Sequence, residues 1–446
     1  MTAAGAADVL VVGAGLAGLY AARLLRRAGV SAIVLEARDR VGGRTWSQRL
    51  ADGSVVDRGA QWIGPGQRRM DALARELGLA TVATYTRGDM VVDVDGRPRR
   101  VPGATPPLSW TAWLDTLQLG LRAACHARSL PVAEPWRHPR ARQLDGQSFA
   151  SWIAENACME EARFYWRHLV ESGTCAGAGE VSALEVLQQL GTVGGMGKLA
   201  TAEHAFFAAG AQSIAQRLAD ELGDAVHLRA AVRTLEPDGA RVRATTGQGA
   251  FRGRRVILAI PPQLVDAMSI EAVAPGRRRR ALVLGRVVKT VVAFERPWWR
   301  DTGLSGMAAA PRGPIDFLVD VSEASGRSGL LVALATGPHA ERLPALDDAT
   351  RRAAVLAQVE RLLGAAPSAP TDVVSTDWTT EAWSRGGYAA RRAIGEWTKH
   401  GDALSAPIGP LHFAGTETAT EWRSYMEGAL QSAERASAEA IAMLAR

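Results

Sequence analysis

Asp8-Val-Leu-Val-Val-Gly-Ala-Gly-Leu-Ala-Gly18 lies near the start of this chain of 446 residues. Its first half is a short, continuous apolar run, which predicts a strand buried on both faces of a parallel sheet. Gly13, Gly15 and Gly18 follow with the spacing G-x-G-x-x-G, and a helical pattern continues to Arg27. In such a turn the first glycine permits the tight bend, the second lets a pyrophosphate approach the backbone, and the third lets the helix pack on the strand.

The next predicted strand ends in a carboxylate at the place where a ribose would lie. Ser31 to Leu35 is a second apolar run, and Glu36 follows it, 18 residues after Gly18. A carboxylate there accepts hydrogen bonds from both ribose hydroxyls and repels a 2′-phosphate. The segment therefore predicts a βαβ unit that binds a dinucleotide, with NADP disfavoured.

The composition is that of a globular chain with more than one domain. The chain has 47% hydrophobic and 22% charged residues, which excludes disorder. Its length exceeds the roughly 250–300 residues at which single cores stop growing. No apolar run approaches the ~18–20 residues of a membrane-spanning helix, so we expect no membrane association and a cytoplasmic location. The net charge of +6 is modest, and aromatic residues do not cluster with the basic ones, which argues against nucleic-acid binding.

The chain has three cysteines, Cys125, Cys158 and Cys175, with no close pair among them. An odd and widely spaced set argues against a disulfide framework or a metal site and fits a reducing compartment. We expect Cys175 to be an inert small apolar residue rather than a nucleophile.

Two further small-residue turns extend the predicted cofactor site. The first is Arg38-Asp-Arg-Val-Gly-Gly-Arg-Thr45, in which the glycine pair offers another close backbone approach. Arg44 in this segment offers a cationic fork for a pyrophosphate. The second is Asp57-Arg-Gly-Ala-Gln-Trp-Ile-Gly64, which places small residues beside an aromatic ring.

The C-terminal block carries the most specific signal. It is Phe413-Ala-Gly-Thr-Glu-Thr-Ala-Thr-Glu-Trp-Arg-Ser-Tyr-Met-Glu-Gly-Ala429, with a helical pattern from about Met426 to the end. Together with the turns above, it resembles the flavin-dependent amine oxidase family, the monoamine and polyamine oxidases in a soluble bacterial form, over nearly the whole chain. The resemblance implies an α/β fold with a discontinuous Rossmann-like FAD-binding domain and a substrate domain with a mixed β-sheet and flanking helices.

The resemblance also implies which residues hold FAD. Glu417 would accept hydrogen bonds from ribityl hydroxyls or nearby amides. The helix that begins near Met426 would direct its positive N-terminus at the flavin and stabilise the negative charge of the reduced ring. The expected cofactor-binding set is Gly13, Ala14, Gly15, Gly18, Glu36, Ala37, Arg38, Gly42, Gly43, Arg44, Gly59, Ala60, Gln61, Trp62, Val232, Trp383, Gly415, Thr416, Glu417, Tyr425, Met426 and Ala429.

Two of the five tyrosines match family positions in front of the flavin, namely Tyr388 and Tyr425. Family members use two such rings as an aromatic cage through which the amine passes, because the ring faces are electron-rich. Mammalian monoamine oxidases attach FAD through a cysteine immediately before the first cage tyrosine, and this chain has Gly387 there. We therefore expect non-covalent FAD.

Lys289, one of only three lysines, lies in the strand-like run from Val287 to Phe294. Burial of an ammonium group is unfavourable unless the group is paired, and it lowers the pKa. The family places a lysine here, hydrogen-bonded through water to the reactive ring nitrogen of the flavin, where it assists oxygen reduction. With Tyr388 and Tyr425 it forms the expected catalytic set. The alternative is a lysine on an outward face of the strand.

Two residues are candidates for contact with the substrate. Glu203 falls about where the family carries a glutamine that faces the cage, and a carboxylate there could bind a second ammonium group or a cationic substrate. A surface position is the alternative. Gly173 begins a loop of small residues, Gly173 to Ala178, that could line the pocket.

These observations predict a two-domain enzyme. We expect the FAD-binding domain to comprise residues 1–81, 208–278 and 381–446, and the substrate domain to comprise residues 82–207 and 279–380. The expected partners are a small-molecule amine and oxygen. A hydride leaves the carbon next to the amine for the flavin, water hydrolyses the imine to an aldehyde and ammonia or a smaller amine, and oxygen becomes hydrogen peroxide.

Other functions stay open at this stage. One is another FAD enzyme of the same fold, such as an L-amino-acid oxidase, a desaturase or a porphyrinogen oxidase. Two cage tyrosines argue against the desaturases, and the sequence shows no dedicated arginine for a substrate carboxylate. The other is a flavin-stabilised binding protein without turnover. The oligomeric state is open as well, with a homodimer as one option.

Overall fold

The computed structural model describes residues 3–94, 96–103, 107–199, 201–270, 272–274, 281–323, 325–343, 346–388 and 390–445. The strands in this part of the chain are β1 (Ala3–Val12), β2 (Ala32–Leu35), β3 (Ser47–Arg49), β4 (Val55–Asp57), β5 (Trp62–Ile63), β6 (Thr81–Ala83), β7 (Asp89–Val94), β8 (Arg97–Pro102), β9 (Ala205–Phe207), β10 (Val226–His227), β11 (Thr234–Asp238), β12 (Arg241–Thr246), β13 (Gly249–Leu258), β14 (Leu282–Leu284), β15 (Val287–Phe294), β16 (Leu304–Ala309), β17 (Phe317–Asp320), β18 (Gly329–Thr336), β19 (Asp372–Asp377), β20 (Ala390–Arg392) and β21 (Leu411–Phe413).

The α-helices are α1 (Leu16–Arg27), α2 (Arg68–Glu76), α3 (Trp110–Ser129), α4 (Ala141–Gly146), α5 (Phe149–Asn156), α6 (Glu160–Thr174), α7 (Ala183–Val193), α8 (Met196–Leu199), α9 (Gln212–Leu222), α10 (Pro262–Val265), α11 (Pro338–Arg342), α12 (Asp348–Leu363), α13 (Glu396–His400) and α14 (Met426–Leu444). Short 3₁₀ helices occur at Pro135–Arg137, Gly223–Ala225, Trp298–Thr302 and Thr416–Thr418. Among the described residues, no helix combines the length and the apolarity that crossing a bilayer requires.

The first sheet has the strand order β10-β2-β1-β13-β12-β11, and β21 pairs with the end of β13. The strands β10, β2, β1, β13 and β21 run parallel, whereas β12 and β11 are antiparallel to their neighbours. The predicted βαβ unit is present as β1, α1 and β2. Parallel strands joined by a helix, beside a second mixed sheet, confirm the predicted α/β class.

The continuous apolar run in β1 is explained by cover on both faces of the sheet. Val9 and Val11 point into a core shared with α1, α9 and α14. Leu10 and Val12 point to the other face, beside β12 and β13. Because successive side chains of a strand point to opposite faces, a strand covered twice has no polar side.

The second sheet has the order β19-β15-β18-β17-β16-β7-β8 and is antiparallel except between β16 and β7. Strand β15 has the predicted bounds. Its residues Val292 and Phe294 pack in the core beneath α12, while Val287 and Val291 belong to the opposite face. Strand alternation therefore places Lys289 on the same face as Val287 and Val291.

The two sheets draw on different parts of the sequence. Each strand of the first sheet lies within a segment predicted for the FAD-binding domain, and each strand of the second within a segment predicted for the substrate domain. Smaller sheets join these segments, because β9 pairs with β5 and β6, and β14 pairs with β20. The predicted boundary at residues 278 and 279 lies outside the described residues, and the domain division stays a prediction.

A buried charge cluster fixes the position of α7 relative to the C-terminal block. The Glu185 carboxylate accepts hydrogen bonds from the Trp397 indole at 2.6 Å and lies 3.1 Å from the Arg423 guanidinium and 3.5 Å from that of Arg391. Burial alone would raise the pKa of Glu185, but the surrounding arginines, first among them Arg423, hold it below its ordinary value. Arg391 also donates to the Gly173 carbonyl, which ties this cluster to the loop of small residues.

Replacement of Glu185 by glutamine should destabilise the protein. The substitution leaves two buried guanidinium groups without their anion, and breaking a buried ion pair typically costs about 3 kcal/mol or more. We expect a clearly lower midpoint of urea unfolding, followed by tryptophan fluorescence. Glu160→Gln is the matched control, because that side chain is 82% exposed and surface pairs contribute little. Equal midpoints for both variants would contradict this account of the cluster.

Candidate active site

A cavity of about 1680 Å³ extends from the carboxyl ends of β1, β2 and β13 to the inner face of β15. This is the edge at which open parallel sheets bind ligands. The predicted site residues that line it are Gly13, Gly15, Glu36, Ala37, Arg38, Gly42, Gly43, Arg44, Gly59, Ala60, Gln61, Trp62, Gly173, Glu203, Val232, Lys289, Trp383, Tyr388, Gly415, Thr416, Tyr425, Met426 and Ala429. The predicted residues that lie outside its lining are Ala14, Gly18 and Glu417.

The first glycine turn has no room for side chains. A Cβ atom on Gly18 would lie 1.9 Å from the Gly13 carbonyl oxygen, so the helix packs directly on the turn. Gly13 has a φ of +103°, and a Cβ atom there would lie 2.7 Å from the Ile260 side chain. Gly15 forms a bridge with Gly42, which brings the second glycine turn beside the first. The backbone of both turns is therefore open to the cavity.

Two backbone amides orient the carboxylate of Glu36. Its Oε2 accepts from the Ala14 amide at 2.7 Å, and its Oε1 accepts from the Arg38 amide at 2.9 Å. A carboxylate has about four acceptor sites, so each oxygen can still accept a second hydrogen bond from the cavity side. Ala14 thus contributes to the site by holding Glu36.

Glu417 holds Arg44 instead of facing the cavity. The two side chains pair through Nη1 to Oε1 at 2.7 Å and Nη2 to Oε2 at 3.0 Å, and Nη1 also donates to the Tyr388 carbonyl at 3.0 Å. Oε1 also accepts from the Ala390 amide at 3.3 Å, and Glu417 lies outside the cavity lining. The structure therefore supports the expected contact with a nearby amide and gives no support to ribityl contacts. Arg44 itself lines the cavity, so Glu417 acts on the site by positioning Arg44.

Lys289 points into the cavity and not outward. The residue is 3% exposed. Its Nζ donates to the Gly59 carbonyl and to Oε1 of Gln61, each at 2.8 Å, and lies 5.2 Å from the centre of the Trp62 ring. A Cβ atom on Gly59 would lie 2.1 Å from the Arg44 carbonyl oxygen, so only glycine fits where the lysine is held. The alternative of an outward strand face is excluded.

The charges around Lys289 form a group that the sequence analysis did not assemble. Burial lowers the pKa of Lys289 to about 8, against the opposing effect of Asp57 and Glu203. Burial raises the pKa of Asp57 to about 6. The surrounding protein raises the pKa of Glu203 to about 7, although the side chain itself is exposed to the open cavity that it lines. Lys289 opposes both shifts. Asp57 is held by the Ser47 hydroxyl and the Ala211 amide. The sequence feature that could have identified Asp57 as part of the site is its position two residues before the Gly-Ala-Gln-Trp turn.

Both predicted cage tyrosines line the same cavity. Burial raises the pKa of Tyr388 and Tyr425, so both phenols stay neutral. Tyr425 is the last residue before α14, and the Trp422 ring meets it edge-on with centres 5.1 Å apart. Trp422 and Ser424 have φ angles of 47° and 76°, which bulky residues rarely adopt. This tight loop places the tyrosine at the cavity wall.

Gly387 has no space for a side chain. A Cβ atom at this position would lie 2.2 Å from a methyl carbon of Val287. A cysteine would therefore require the first cage segment to move away from β15.

The outer part of the cavity has residues that the sequence analysis missed. His168, Phe164 and Leu169 come from α6, while Met307 and Phe317 come from β16 and β17. Burial lowers the pKa of His168 to about 4, so its ring is neutral at physiological pH. No motif joins these residues, because each belongs to an element that faces the cavity only after the second sheet and its helices pack.

The described residues fit a bound dinucleotide cofactor. Two buried donors on the cavity lining, the indole N–H of Trp62 and the Nε of Arg38, have no hydrogen-bond partner within the described part of the chain. Orphaned buried donors are unfavourable and indicate a missing acceptor. Together with the open glycine turns and the oriented Glu36, they fit a dinucleotide whose ribose Glu36 would bind.

Comparisons with known proteins agree with this arrangement. Residues 16–441 match the model of the family described as flavin containing amine oxidoreductase. Putrescine oxidase of Kocuria rosea is 32% identical over 97% of this chain and 95% of its own, and an L-amino acid dehydrogenase of Synechocystis is 31% identical over 100% and 97%. The solved structure of a putrescine oxidase bound to putrescine superposes with a TM-score of 0.93 at 32% identity, covering 98% of this chain and 99% of the other.

Replacement of Glu36 by alanine should reduce the FAD content of the purified protein about tenfold or more. The variant loses an acceptor for ribose hydroxyls, and a hydrogen bond to a charged group contributes about 1.5–3 kcal/mol. The ratio of flavin to protein absorbance measures the change. Asp39→Ala is the matched control, because Asp39 is an exposed carboxylate three residues further on. Full FAD content in the Glu36 variant would remove this residue from the cofactor site.

Proposed function

Because the chain belongs to the flavin containing amine oxidoreductase family, we propose that it is an FAD-dependent amine oxidase. Its substrate is a small-molecule amine, which is oxidised to an imine that water hydrolyses, and oxygen is reduced to hydrogen peroxide. The observation that carries the proposal is the position of buried Lys289 on the same cavity as Tyr388, Tyr425 and the open glycine turns. FAD, when bound, supplies the hydride acceptor and the two-electron chemistry.

The residues that would hold FAD come from the N-terminal turns and from the C-terminal block. The turns at Gly13 and Gly43 would hold the phosphates with their backbone amides, and Glu36 would accept hydrogen bonds from a ribose. Arg44, held by Glu417, lies farther along the cavity. The start of α14 at Met426 directs its positive end at the site.

The two neutral tyrosines orient the amine. A primary amine has a lysine-like pKa of about 10.4, and the carbon next to it can lose a hydride only after the nitrogen has lost its proton. Neutral phenol rings offer electron-rich faces to both forms of the amine. We therefore assign Tyr388 and Tyr425 to substrate orientation and not to proton transfer.

Lys289 is assigned to the oxygen half of the reaction. With a pKa of about 8 its ammonium group is largely present at neutral pH. A positive charge in a site of low dielectric stabilises the negative charge that develops as oxygen gains electrons. Its contacts with Gly59 and Gln61 hold Nζ in place, so little reorganisation is needed.

Arginines line other parts of the cavity, among them Arg99 and Arg312, but the carboxylate that acts on both tyrosines is Glu203, which favours an amine over an amino acid there. An amino-acid oxidase needs a cation for the substrate carboxylate. Arg391 lies outside the cavity lining. Its guanidinium donates hydrogen bonds to the carbonyls of Gly173 and Thr174 and to the hydroxyl of Ser424, next to Tyr425. Glu203, by contrast, presents a carboxylate to the cavity.

A substrate assay with anaerobic and aerobic arms tests the proposed function. Monoamines, diamines and L-amino acids at equal concentration are added to the FAD-loaded protein without oxygen, and bleaching of the flavin is followed. Air is then admitted and hydrogen peroxide is quantified. Amines should bleach the flavin and yield one peroxide per aldehyde. Failure of every amine to bleach would support a binding protein without turnover, and a preference for L-amino acids would support the amino-acid oxidase.

Acid or heat should release all FAD from the protein into solution, since we propose non-covalent binding. Gly387 supplies no thiol and is packed against Val287. The measurement is the flavin absorbance of the supernatant after acid precipitation. Flavin that stays with the precipitated polypeptide would show covalent attachment.

Lys289→Met should slow oxidation of the reduced enzyme by oxygen about 10²-fold, if roughly 3 kcal/mol of charge stabilisation is lost. Reduction by amine should fall much less, because it depends on the tyrosines. In the unmodified enzyme the oxygen step should also slow as the pH rises through about 8, where Lys289 loses its proton. The variant should lack this pH dependence. Stopped-flow mixing with oxygen measures both effects.

Lys399→Met is the control for this experiment, because that lysine side chain is 67% exposed. Unchanged oxidation rates in Lys289→Met would leave Lys289 with a structural role only.

Glu203→Gln should raise the KM for a diamine about tenfold or more and leave that for a monoamine of equal length nearly unchanged. We propose that the carboxylate binds the distal ammonium group, and a charged hydrogen bond contributes about 1.5–3 kcal/mol. Steady-state kinetics with the matched pair of substrates measure the difference. Equal changes for both substrates would remove Glu203 from substrate recognition.

A further inference from the structure

The helix α6 forms one wall of the outer cavity. Beyond its first residue, the side chains at the cavity follow the spacing of a single helix face and are Glu161, Phe164, Tyr165, His168, Leu169 and Ser172. The opposite face, with Ala162, Trp166 and Val170, is buried in a core shared with α3, α5 and α7. One face of α6 therefore serves the fold, and the other meets whatever enters the cavity.

The two ends of α6 lie at different parts of the cavity. At its C-terminal end, Gly173 is joined through the Arg391 side chain to Ser424, the residue next to the cage tyrosine Tyr425. At its N-terminal end, the first turn of the helix brings two carboxylates to the cavity. His168 lies between these ends, five residues before Gly173, which is about 7.5 Å along a helix.

The cavity lining around the middle of α6 is mainly apolar. Phe164 and Leu169 adjoin His168 on the same helix face. The second sheet forms another wall, to which it contributes Met90, Val92, Met307, Ala309 and Phe317. A substrate that extends from the cage along α6 therefore meets apolar side chains and the imidazole of His168.

The imidazole of His168 is neutral and has no hydrogen-bond partner among the residues that the structure describes. A neutral imidazole has one donor and one acceptor. The surrounding protein lowers the pKa of His168 to about 4, with the nearby His339 as a smaller cause, although the ring is partly exposed to the cavity. Surroundings that disfavour the imidazolium also disfavour a second ammonium group at this place.

Glu203 and His168 act on different parts of the cavity. The charge of Glu203 acts on both cage tyrosines and on Lys289. The charge that acts on His168 is that of His339. A short diamine therefore reaches Glu203 without approaching His168, and the two residues select different features of a substrate.

We propose that His168 is a specificity-determining residue, which forms a hydrogen bond with an uncharged polar group, such as a hydroxyl, at the far end of the amine. An extended backbone covers about 3.6 Å in the three bonds of one residue, so an alkyl chain of about six carbons spans the distance from the cage to His168. The inference rests on the proposed function and deepens it. The substrate class that it names is a monoamine with an uncharged hydrogen-bonding group at the other end.

Two amines of equal length test the proposal, heptylamine and aminohexanol, which end in a methyl and a hydroxyl group respectively. The ratio of their kcat/KM values with the FAD-loaded protein is the measured quantity. In His168→Leu the ratio of aminohexanol to heptylamine should fall about tenfold, because the hydroxyl loses its partner in an apolar site. His168→Gln keeps a donor and an acceptor and should retain the ratio. Met307→Leu is the matched control, since it keeps the wall apolar, and it should retain the ratio as well.

Diaminohexane, which has the same length, tests the charge of the selected group. Its kcat/KM relative to heptylamine should not fall in His168→Leu. A fall as large as that of aminohexanol would overturn the assignment to an uncharged group. The flavin absorbance of each variant reports whether it is folded.

An equal ratio of aminohexanol to heptylamine in His168→Leu and in the unmodified protein would overturn the proposal, and so would an equal fall in Met307→Leu. Turnover of heptylamine by the unmodified protein supports the proposed function whatever the ratio is. If no amine is oxidised, the proposed function fails. The dissociation constants of the same two amines, measured by the change in flavin absorbance on binding, then apply the same test to His168.

Discussion

The contact of Gly18 with the Gly13 carbonyl is the constraint on which the site depends. It lets α1 begin directly at the end of β1, with no side chain between helix and turn. The amide of Ala14 is then free to bind Glu36, which joins the end of β2 to the same turn. Any side chain at Gly18 would push the helix away and separate these groups. The backbone arrangement that would bind a dinucleotide thus depends on the close contact of Gly18 with the Gly13 carbonyl.

Hydrogen bonds made by charged side chains assemble the rest of the site from distant parts of the chain. Arg44 and Glu417 are 373 residues apart in sequence. Lys289 reaches the turn at Gly59 across 230 residues. A buried charge is unfavourable unless it is paired with good geometry. These pairs therefore define how the N-terminal turns, the second sheet and the C-terminal block meet, and they converge on one cavity.

The electrostatics of the cavity suit the proposed chemistry. Lys289 interacts electrostatically with Glu203, which lines the cavity, and with Asp57, which does not, and each of the three has a pKa moved towards neutrality. Groups of this kind change protonation with small changes in their surroundings, and they concentrate at functional sites. The cluster in the helical core, by contrast, is packed around Glu185 and stabilises the fold without reaching the cavity.

The resemblance to the amine oxidase family supplied the α/β class as a whole and the positions of Lys289, Tyr388 and Tyr425. Motifs and periodicity alone were sufficient for the first βαβ unit, strand β15 and the glycine turns with Glu36. These features are local, since a glycine spacing or an apolar period is set by the nearest neighbours in the chain. Only the folded chain showed that Glu417 pairs with Arg44 and that Asp57 lies near Lys289. It also showed the outer wall of the cavity, which includes His168 and Phe317. Each of these features depends on which separate elements pack together. Burial and charge pairing act through space, so they produce no recognisable pattern of residue spacing in the sequence.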